Sequence, residues 1–256
     1  MVPALESSVI EFRTKRTMSD NGNSDYNAIY RNAPIQQIDS FYLWALRWAD
    51  VRKDQRLLDV SCGVARLVEF AWHRGVRSVG IDLATQAIAV ARQAGVCGEL
   101  LVGNAESLPF ADASFDRVVN LGSLEHYERP QCAIAEMARV LRPDGRAVIL
   151  LPNAFGYQHV LYVWRHGTVY DDGQPLQRYG TRTAWKTLLE ENGLVVDRVK
   201  KYQREWPLTI RDLLRYLRRP RQLLQALITP LLPVDAVSCQ VFLCHKAEVD
   251  KPPIAR

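Results

Sequence analysis

The chain of 256 residues is 48% hydrophobic and 24% charged, with a formal net charge of +5 at pH 7. These values are typical of one globular α/β domain with a full core, and so mild a charge does not indicate a nucleic-acid partner. No apolar run approaches the roughly 20 residues of a membrane span, and the amino terminus lacks the pattern of a secretory signal, so we expect a cytoplasmic protein.

The first 34 residues are predicted to form a flexible arm or cap. Residues 13–33 are polar and rich in turn-forming residues, which is typical of a loosely packed segment. From Ile35 to Trp48, apolar residues recur at helical spacing and predict a helix. We therefore place the start of the folded domain at residue 35 and expect the domain to include residues 35–256.

Beyond this helix, apolar runs alternate with stretches of helical spacing. The runs predict five strands, at residues 56–60, 78–83, 99–104, 116–122 and 146–152. Strands that alternate with helices form right-handed βαβ units around a buried parallel sheet. The sequence therefore predicts a doubly wound, Rossmann-like α/β fold.

After residue 152 the alternation becomes irregular. We predict a helix at 182–192 and two further strands, at 193–202 and 238–246. The remaining residues form two long insertions on the same domain, an irregular one at 153–181 and one at 203–237.

The loop in "LLDVSCGVAR", residues 57–66, indicates a nucleotide site of an unusual kind. A dinucleotide fingerprint needs three glycines to approach a pyrophosphate, whereas this loop has only Gly63. Its strand ends at Asp59, and a carboxylate there repels phosphate and attracts a cation. We therefore expect a ligand that is positively charged and free of phosphate at this end.

A second acid follows the next strand, where "GIDL" places Asp82 about 20 residues past the loop. An acid at this position accepts hydrogen bonds from the two hydroxyls of a ribose. The two acids together predict a nucleoside that carries a cationic group. S-adenosylmethionine meets this description.

The segment 56–152 resembles the class I S-adenosylmethionine-dependent methyltransferases, in the branch of small-molecule and quinone-type enzymes. "LLDVSCGVA" is similar to their first motif, D-x-G-x-G-x-G, and "GIDLATQAI" to their ribose-binding segment. "GNAESLPFADASFDRVVN" and "LEHYERPQCAIAEMARVLRPDGRAVIL" resemble the segments that follow in order. The resemblance implies a mostly parallel, seven-stranded methyltransferase sheet whose last strand is antiparallel.

The resemblance also implies a role for particular residues. Asp59 and Gly63 would hold the methionine end, and Asp82 the ribose. Ser61 and Ala65 stand where the family usually has glycine, and Asn104 where it often has aspartate. The full set implied to bind the cofactor is Asp59, Ser61, Gly63, Asp82, Leu83, Asn104, Ala105, Glu106, Leu121 and Gly122. Leu121 and Gly122 would line the face near the reactive methyl group.

The best candidate for a general base is His126, in "GSLEHYERP", which Glu125 or Tyr127 could orient. An oriented wall residue with no proton role is the alternative. Some relatives carry E-x-x-E-H here and bind a divalent metal, but this chain lacks the first carboxylate. Its five cysteines are widely spaced and form no C-x-x-C pair. We therefore expect no metal.

The two insertions are expected to cover the acceptor. The segment 153–181 is rich in aromatic and hydrogen-bonding residues, and it adds Tyr157 and His159 to the catalytic candidates. In the segment 208–233, an apolar helical arc stands opposite several arginines, with a break at Pro220. Two interpretations remain open for this second segment. It is a lid over the acceptor pocket, or it is a basic amphipathic element in peripheral contact with an anionic membrane.

The sequence favours a methyltransferase that acts on an O, N or C atom of a small organic or lipid-like acceptor, with no nucleic-acid partner. One alternative is a non-catalytic module that binds S-adenosylmethionine. Another is a nicotinamide dehydrogenase, which the missing glycines argue against. The sequence leaves open the acceptor, the oligomeric state and the use of a base.

Overall fold

The computed structural model describes residues 9–13, 27, 30, 36–170, 174 and 176–248. Nine strands and eight α-helices lie within these residues. The strands are β1 (Ile10–Arg13), β2 (Arg56–Val60), β3 (Arg77–Asp82), β4 (Glu99–Val102), β5 (Phe115–Leu121), β6 (Leu141–Pro152), β7 (Leu176–Tyr179), β8 (Leu194–Tyr202) and β9 (Cys239–Lys246). The helices are α1 (Asp39–Trp48), α2 (Arg66–Trp72), α3 (Thr85–Gln93), α4 (Pro130–Val140), α5 (Tyr157–His166), α6 (Arg182–Glu191), α7 (Ile210–Leu217) and α8 (Pro220–Ile228).

Seven strands form one sheet in the order β4-β3-β2-β5-β6-β9-β8. The five strands from β4 to β6 are parallel to their neighbours, whereas β9 pairs antiparallel with both β6 and β8. This is the predicted seven-stranded sheet with an antiparallel last strand. Strand order reverses between β2 and β5, and ligands of open α/β sheets bind at such a switch point.

The sheet is covered on both faces, and its side chains alternate between two cores. Leu58 and Val118 pack with α4 and α6 on one face, whereas Leu57 and Val119 pack with α1 and α2 on the other. This period of two is what a sheet covered on both faces requires. The buried strands point their carboxyl ends to the edge where both insertions leave the sheet.

The seven predicted strands of this sheet are confirmed within a few residues. β6 begins at Leu141, five residues before the predicted start, because Leu141 already pairs with Phe115 across a bulge.

The prediction of an irregular segment after residue 152 is wrong for two stretches, α5 and β7. None of the residues of α5 is buried, so its apolar residues do not form the core-facing stripe by which a helix is recognised. β7 pairs with β1, which lies in the predicted arm, and a strand of four residues that pairs so far along the chain has no local signature. The other arm residues, apart from Val9, Asn27 and Tyr30, lie outside the described residues.

No helix in the described part of the chain has the length and apolar character needed to cross a membrane.

Candidate active site

The loop after β2 has the backbone of a tight glycine turn with only one glycine. Ser61, Gly63 and Ala65 all have positive φ, at 62°, 55° and 59°. These are the three positions where the resembled motif has glycine. An added Cβ at Gly63 would lie 2.8 Å from the hydroxyl oxygen of Tyr30, so a larger residue here would have to displace the Tyr30 side chain as well as adopt the left-handed backbone.

Asp82 fixes this loop to the end of β3. Its Oδ2 accepts a hydrogen bond of 2.7 Å from the Gly63 N–H, and its Oδ1 accepts one of 2.8 Å from the Ala84 N–H. The side chain is 7% exposed, and burial raises its pKa although the two N–H groups oppose the shift. Each carboxylate oxygen retains lone pairs for a further donor on the cavity side.

Asp59, unlike Asp82, is a buried acid without a hydrogen bond from the described residues. It is 4% exposed, and among the described residues its carboxylate accepts no hydrogen bond. Burial, together with the nearby charge of Asp82, raises the pKa of Asp59 to about 8. A buried carboxylate without a partner is costly, and a cation placed beside it would remove that cost.

These residues line a cavity of about 960 Å³ at the carboxyl ends of the parallel strands. All ten residues implied to bind the cofactor line it: Asp59, Ser61, Gly63, Asp82, Leu83, Asn104, Ala105, Glu106, Leu121 and Gly122. The cavity thus brings together the ends of β2, β3, β4 and β5.

At the β4 end, two of these residues are already engaged within the protein. Asn104 Oδ1 accepts from the Glu106 N–H at 2.9 Å, and the Glu106 carboxylate accepts from the Arg129 N–H and Nε at 2.9 Å each. The Asn104 amide nitrogen makes no hydrogen bond to any other residue that the structure describes. A ligand at this end would therefore meet the Asn104 side chain chiefly as a donor.

Ser61 belongs to a polar network that the sequence did not indicate. Its hydroxyl lies 2.5 Å from the Tyr127 hydroxyl, which accepts from Asn120 Nδ2 at 2.7 Å. Asn120 also donates to the Val60 carbonyl and accepts from the Leu124 N–H. The network ties the β2 loop to the turn after β5, and it gives Ser61 a function that glycine would lack.

His126 lines the same cavity in a short 3₁₀ helix after β5. Its Nδ1 lies 2.7 Å from the Leu176 carbonyl, which assigns the proton to Nδ1, and its Nε2 lies 2.7 Å from the amide nitrogen of Gln174. Glu125 Oε1 is 3.9 Å from Nε2, too far for a hydrogen bond. Leu176 and Gln174, rather than Glu125, therefore orient the ring.

Tyr157 and His159 are on α5, outside this cavity. Tyr157 is exposed, and His159 Nδ1 lies 2.9 Å from the Asn153 carbonyl while its ring packs against Tyr179. Of the predicted covering segment 153–181, Gln174 lines the cavity, whereas no residue of 203–237 does so. Among the described residues, no group of three or more His, Cys, Asp or Glu side chains is arranged to hold a metal.

The sequence did not identify the aromatic end of the cavity. Phe41 and Tyr42 reach it from the first turn of α1, and Tyr202 and Cys239 reach it from the last two strands of the sheet. The Phe41 and Tyr202 rings meet edge to face at 5.4 Å. Burial raises the pKa of Cys239 to about 12, so this residue remains a thiol. The aromatic positions are visible in the sequence, but nothing there separates a cavity-facing ring from a core-facing one.

Comparison with known proteins matches the part of the chain that contains β2 to β5 and the cofactor-side residues of the cavity. The family model Methyltransf_11, a methyltransferase domain, matches residues 58–149. A demethylmenaquinone methyltransferase of Renibacterium salmoninarum is 35% identical over 95 residues, or 37% of this chain and 40% of that relative. The uncharacterized protein YafE of Escherichia coli is 30% identical over 155 residues, or 58% of this chain and 73% of YafE.

The chain spans about half or less of most of the curated relatives it matches, from 33% to 52% of their length. Among solved structures, a SAM-dependent methyltransferase from Methanosarcina mazei superposes with a TM-score of 0.57 at 18% identity, over 83% of this chain and 99% of that chain. At this identity the likeness concerns the fold alone.

Proposed function

The chain belongs to the class I S-adenosylmethionine-dependent methyltransferases, and we propose that it transfers a methyl group to an O, N or C atom of a small organic or lipid-like acceptor. The observation that carries this proposal is the meeting of Asp59, Gly63 and Asp82 in one cavity. The name of the Renibacterium relative, which acts on a demethylmenaquinone, supports an acceptor of this class.

The residues fit S-adenosylmethionine at both ends of the loop. The buried carboxylate of Asp59, which lacks a hydrogen bond among the described residues, is suited to the cationic methionine end. The Asp82 carboxylate, held by the N–H groups of Gly63 and Ala84, is suited to the ribose hydroxyls. For Asn104, Ala105 and Glu106, which follow β4, we propose that they flank the adenine, as the family resemblance implies.

When bound, S-adenosylmethionine supplies a methyl group on a sulfonium, which is already a good leaving group. The chain's own contribution is then chiefly positioning, which is worth up to about 7–11 kcal/mol in well-oriented reactions. Phe41, Tyr42 and Tyr202 would hold an apolar or aromatic acceptor at the other end of the cavity, with Leu121 and Gly122 between the two ends.

A protonated acceptor would need a base, and we propose His126 for this role. Because Nδ1 carries the proton and donates to Leu176, Nε2 is the basic nitrogen of the ring. The Gln174 amide occupies Nε2 in this structure. Proton transfer to Nε2 therefore requires an acceptor to take the place of that amide. We propose no catalytic role for Tyr157, His159 or Glu125, since none of the three is among the residues that line the cavity.

The test is to incubate the full chain with cell extract and methyl-labelled S-adenosylmethionine, and then to identify the labelled product by mass spectrometry. We expect a labelled small molecule or lipid that disappears with Asp82→Ala and persists with Asp144→Ala, an exposed acid away from the cavity. A protein that binds the cofactor and yields no labelled product from any fraction would contradict the catalytic proposal. Label on RNA or protein would contradict the proposed acceptor class.

A further inference from the structure

Helix α7 is attached to the domain by its polar residues. Its two buried residues are Asp212 and Tyr216. Asp212 Oδ2 accepts from the Ser40 N–H at 2.7 Å and from the Ser40 hydroxyl at 2.6 Å, and the Tyr216 hydroxyl donates to the Glu205 carbonyl at 2.9 Å. A helix that packs on a protein core normally buries its apolar stripe. Here the apolar stripe is not what holds the helix in place.

The apolar residues of α7 and of the segment after it point outward instead. Helical spacing sets Ile210, Leu213, Leu214 and Leu217 within an arc of about 100°. Ile210 is 79% exposed and Leu217 59%, and further along the chain Leu231 is 82% exposed. In α8 the one buried residue is Ala226. Eight large apolar side chains are exposed in this stretch: Ile210, Leu213, Leu214, Leu217, Leu224, Leu227, Ile228 and Leu231.

The same segment carries five arginines and a single acid, Asp212, which is buried and bound to Ser40. All five arginines are exposed: Arg211, Arg215, Arg218, Arg219 and Arg221. Arg211 lies 3.9 Å from Asp39, and no ion pair to the other four occurs among the described residues. Exposed apolar residues beside unneutralised arginines are typical of an element that lies in a membrane interface.

Four of these arginines also line a cleft of about 790 Å³ between α7 and the α2–α3 side of the domain. Its carboxylates are already engaged, because Asp39 and Glu69 both contact Arg66 and Asp212 contacts Ser40. The cleft therefore presents a net positive surface to a phosphate group.

We propose that the segment 208–233 docks the protein on an anionic lipid bilayer. The exposed leucines and isoleucines enter the interface, and the arginines contact lipid phosphates. A second copy of the chain is the poorer occupant, since a two-fold interface would bring the same arginine cluster against itself. The segment belongs to the connection between Tyr202 and Cys239, which both line the main cavity. If the proposed function holds, docking thus brings the acceptor end of that cavity to the lipid surface.

The experiment is sedimentation of the full chain with vesicles of phosphatidylcholine alone, or with about one third phosphatidylglycerol, at low and high salt. We expect binding to the anionic vesicles that weakens with salt, and little binding to phosphatidylcholine. The double variant Arg215→Glu/Arg218→Glu should lower the partition coefficient at least about tenfold. The matched control, Arg52→Glu/Arg77→Glu, changes the net charge equally at exposed sites far from the segment and should stay within about threefold.

Three results would overturn the proposal. One is a protein that stays in the supernatant with anionic vesicles at low salt. Another is equal loss in the control pair, which would make the effect one of net charge. The third is a Leu217→Asn/Leu231→Asn variant that turns a dimer into a monomer with vesicle binding unchanged, which would assign the apolar face to a second copy. Calorimetry of S-adenosylmethionine binding, carried out without vesicles, tests the proposed function independently of the docking proposal.

Discussion

At the scale of single residues, the charge of Asp59 decides how the cavity meets a cationic ligand. Because burial and Asp82 raise the pKa of Asp59 to about 8, the carboxyl is mostly protonated at neutral pH in the free protein. A cation favours the ionised form, so binding must release a proton below that pH. The affinity for S-adenosylmethionine is therefore coupled to pH through this residue.

We predict that the affinity for S-adenosylmethionine rises as the pH increases from about 6 to about 7.5, by up to about tenfold per unit. In Asp59→Asn this dependence should largely disappear. The unfolding free energy of the free protein should fall over the same range, because the folded state binds the Asp59 proton more tightly than the unfolded chain does. Calorimetry in buffers of matched ionic strength measures the affinity. A pH profile that is equal in both proteins would contradict the role of Asp59.

We predict that His126→Ala lowers kcat by about 10²–10⁴, with the labelled product as readout, while the affinity for S-adenosylmethionine changes less than about threefold. His126→Asn is the informative companion, since its amide can still donate to the Leu176 carbonyl but cannot accept a proton as a base. Both variants should therefore lose turnover. If His126→Asn retains turnover, the ring is a wall residue.

At the scale of elements, the β2–α2 loop retains a glycine-type backbone although two of its three special positions are not glycine. At Ser61, the hydrogen bond between its hydroxyl and the Tyr127 hydroxyl offsets the cost of the left-handed backbone. Ala65 has no such contact and is fully buried with φ at 59°. The left-handed conformation costs an alanine about 1–2 kcal/mol, which a glycine would not pay.

We predict that Ala65→Gly changes the free energy of unfolding by less than about 0.5 kcal/mol, because relief of the left-handed backbone offsets the lost methyl group and the gain in chain entropy. Ala84→Gly is the matched control. Ala84 is equally buried but has φ at −75°, so its substitution should cost about 1–2 kcal/mol. Chemical denaturation of both variants measures the difference, and equal losses would refute the argument from backbone strain.

The attachment of α7 gives a second prediction about an element. Asp212→Ala leaves the buried Ser40 N–H and hydroxyl without their acceptor, which costs about 1–3 kcal/mol. We expect faster tryptic cleavage after the arginines of 211–221, with affinity for S-adenosylmethionine unchanged. Asp235→Ala, at an exposed acid in the same connection, should leave the cleavage rate near that of the wild type. Unchanged cleavage in Asp212→Ala would mean that another contact holds the helix.

At the scale of the whole molecule, the seven-stranded sheet could be predicted from the sequence, whereas β1, β7 and α5 could not. Each strand of the sheet is a buried apolar run between helical stretches, so its signal is local. β1 and β7 pair across more than a hundred and sixty residues, and α5 has no buried face, so neither has a local signal.

The candidate site divides in the same way. The ten cofactor-side residues follow the ends of consecutive strands, and the topology of a parallel sheet brings such positions together. Phe41 and Tyr42 come from α1, whereas Tyr202 comes from β8, far along the chain. Their sequence positions do not reveal whether the rings face the core or the cavity. The acceptor end therefore emerges only in the folded structure.

The most direct measurement is equilibrium binding of S-adenosylmethionine to the full chain and to Asp82→Ala by calorimetry. The central claim is that the cavity formed by Asp59, Gly63 and Asp82 holds this cofactor. Loss of hydrogen bonds to a charged group costs about 1.5–3 kcal/mol each, so Asp82→Ala should bind at least about tenfold more weakly while remaining folded. No binding to the folded wild-type chain, or equal affinity in the two proteins, would contradict the claim.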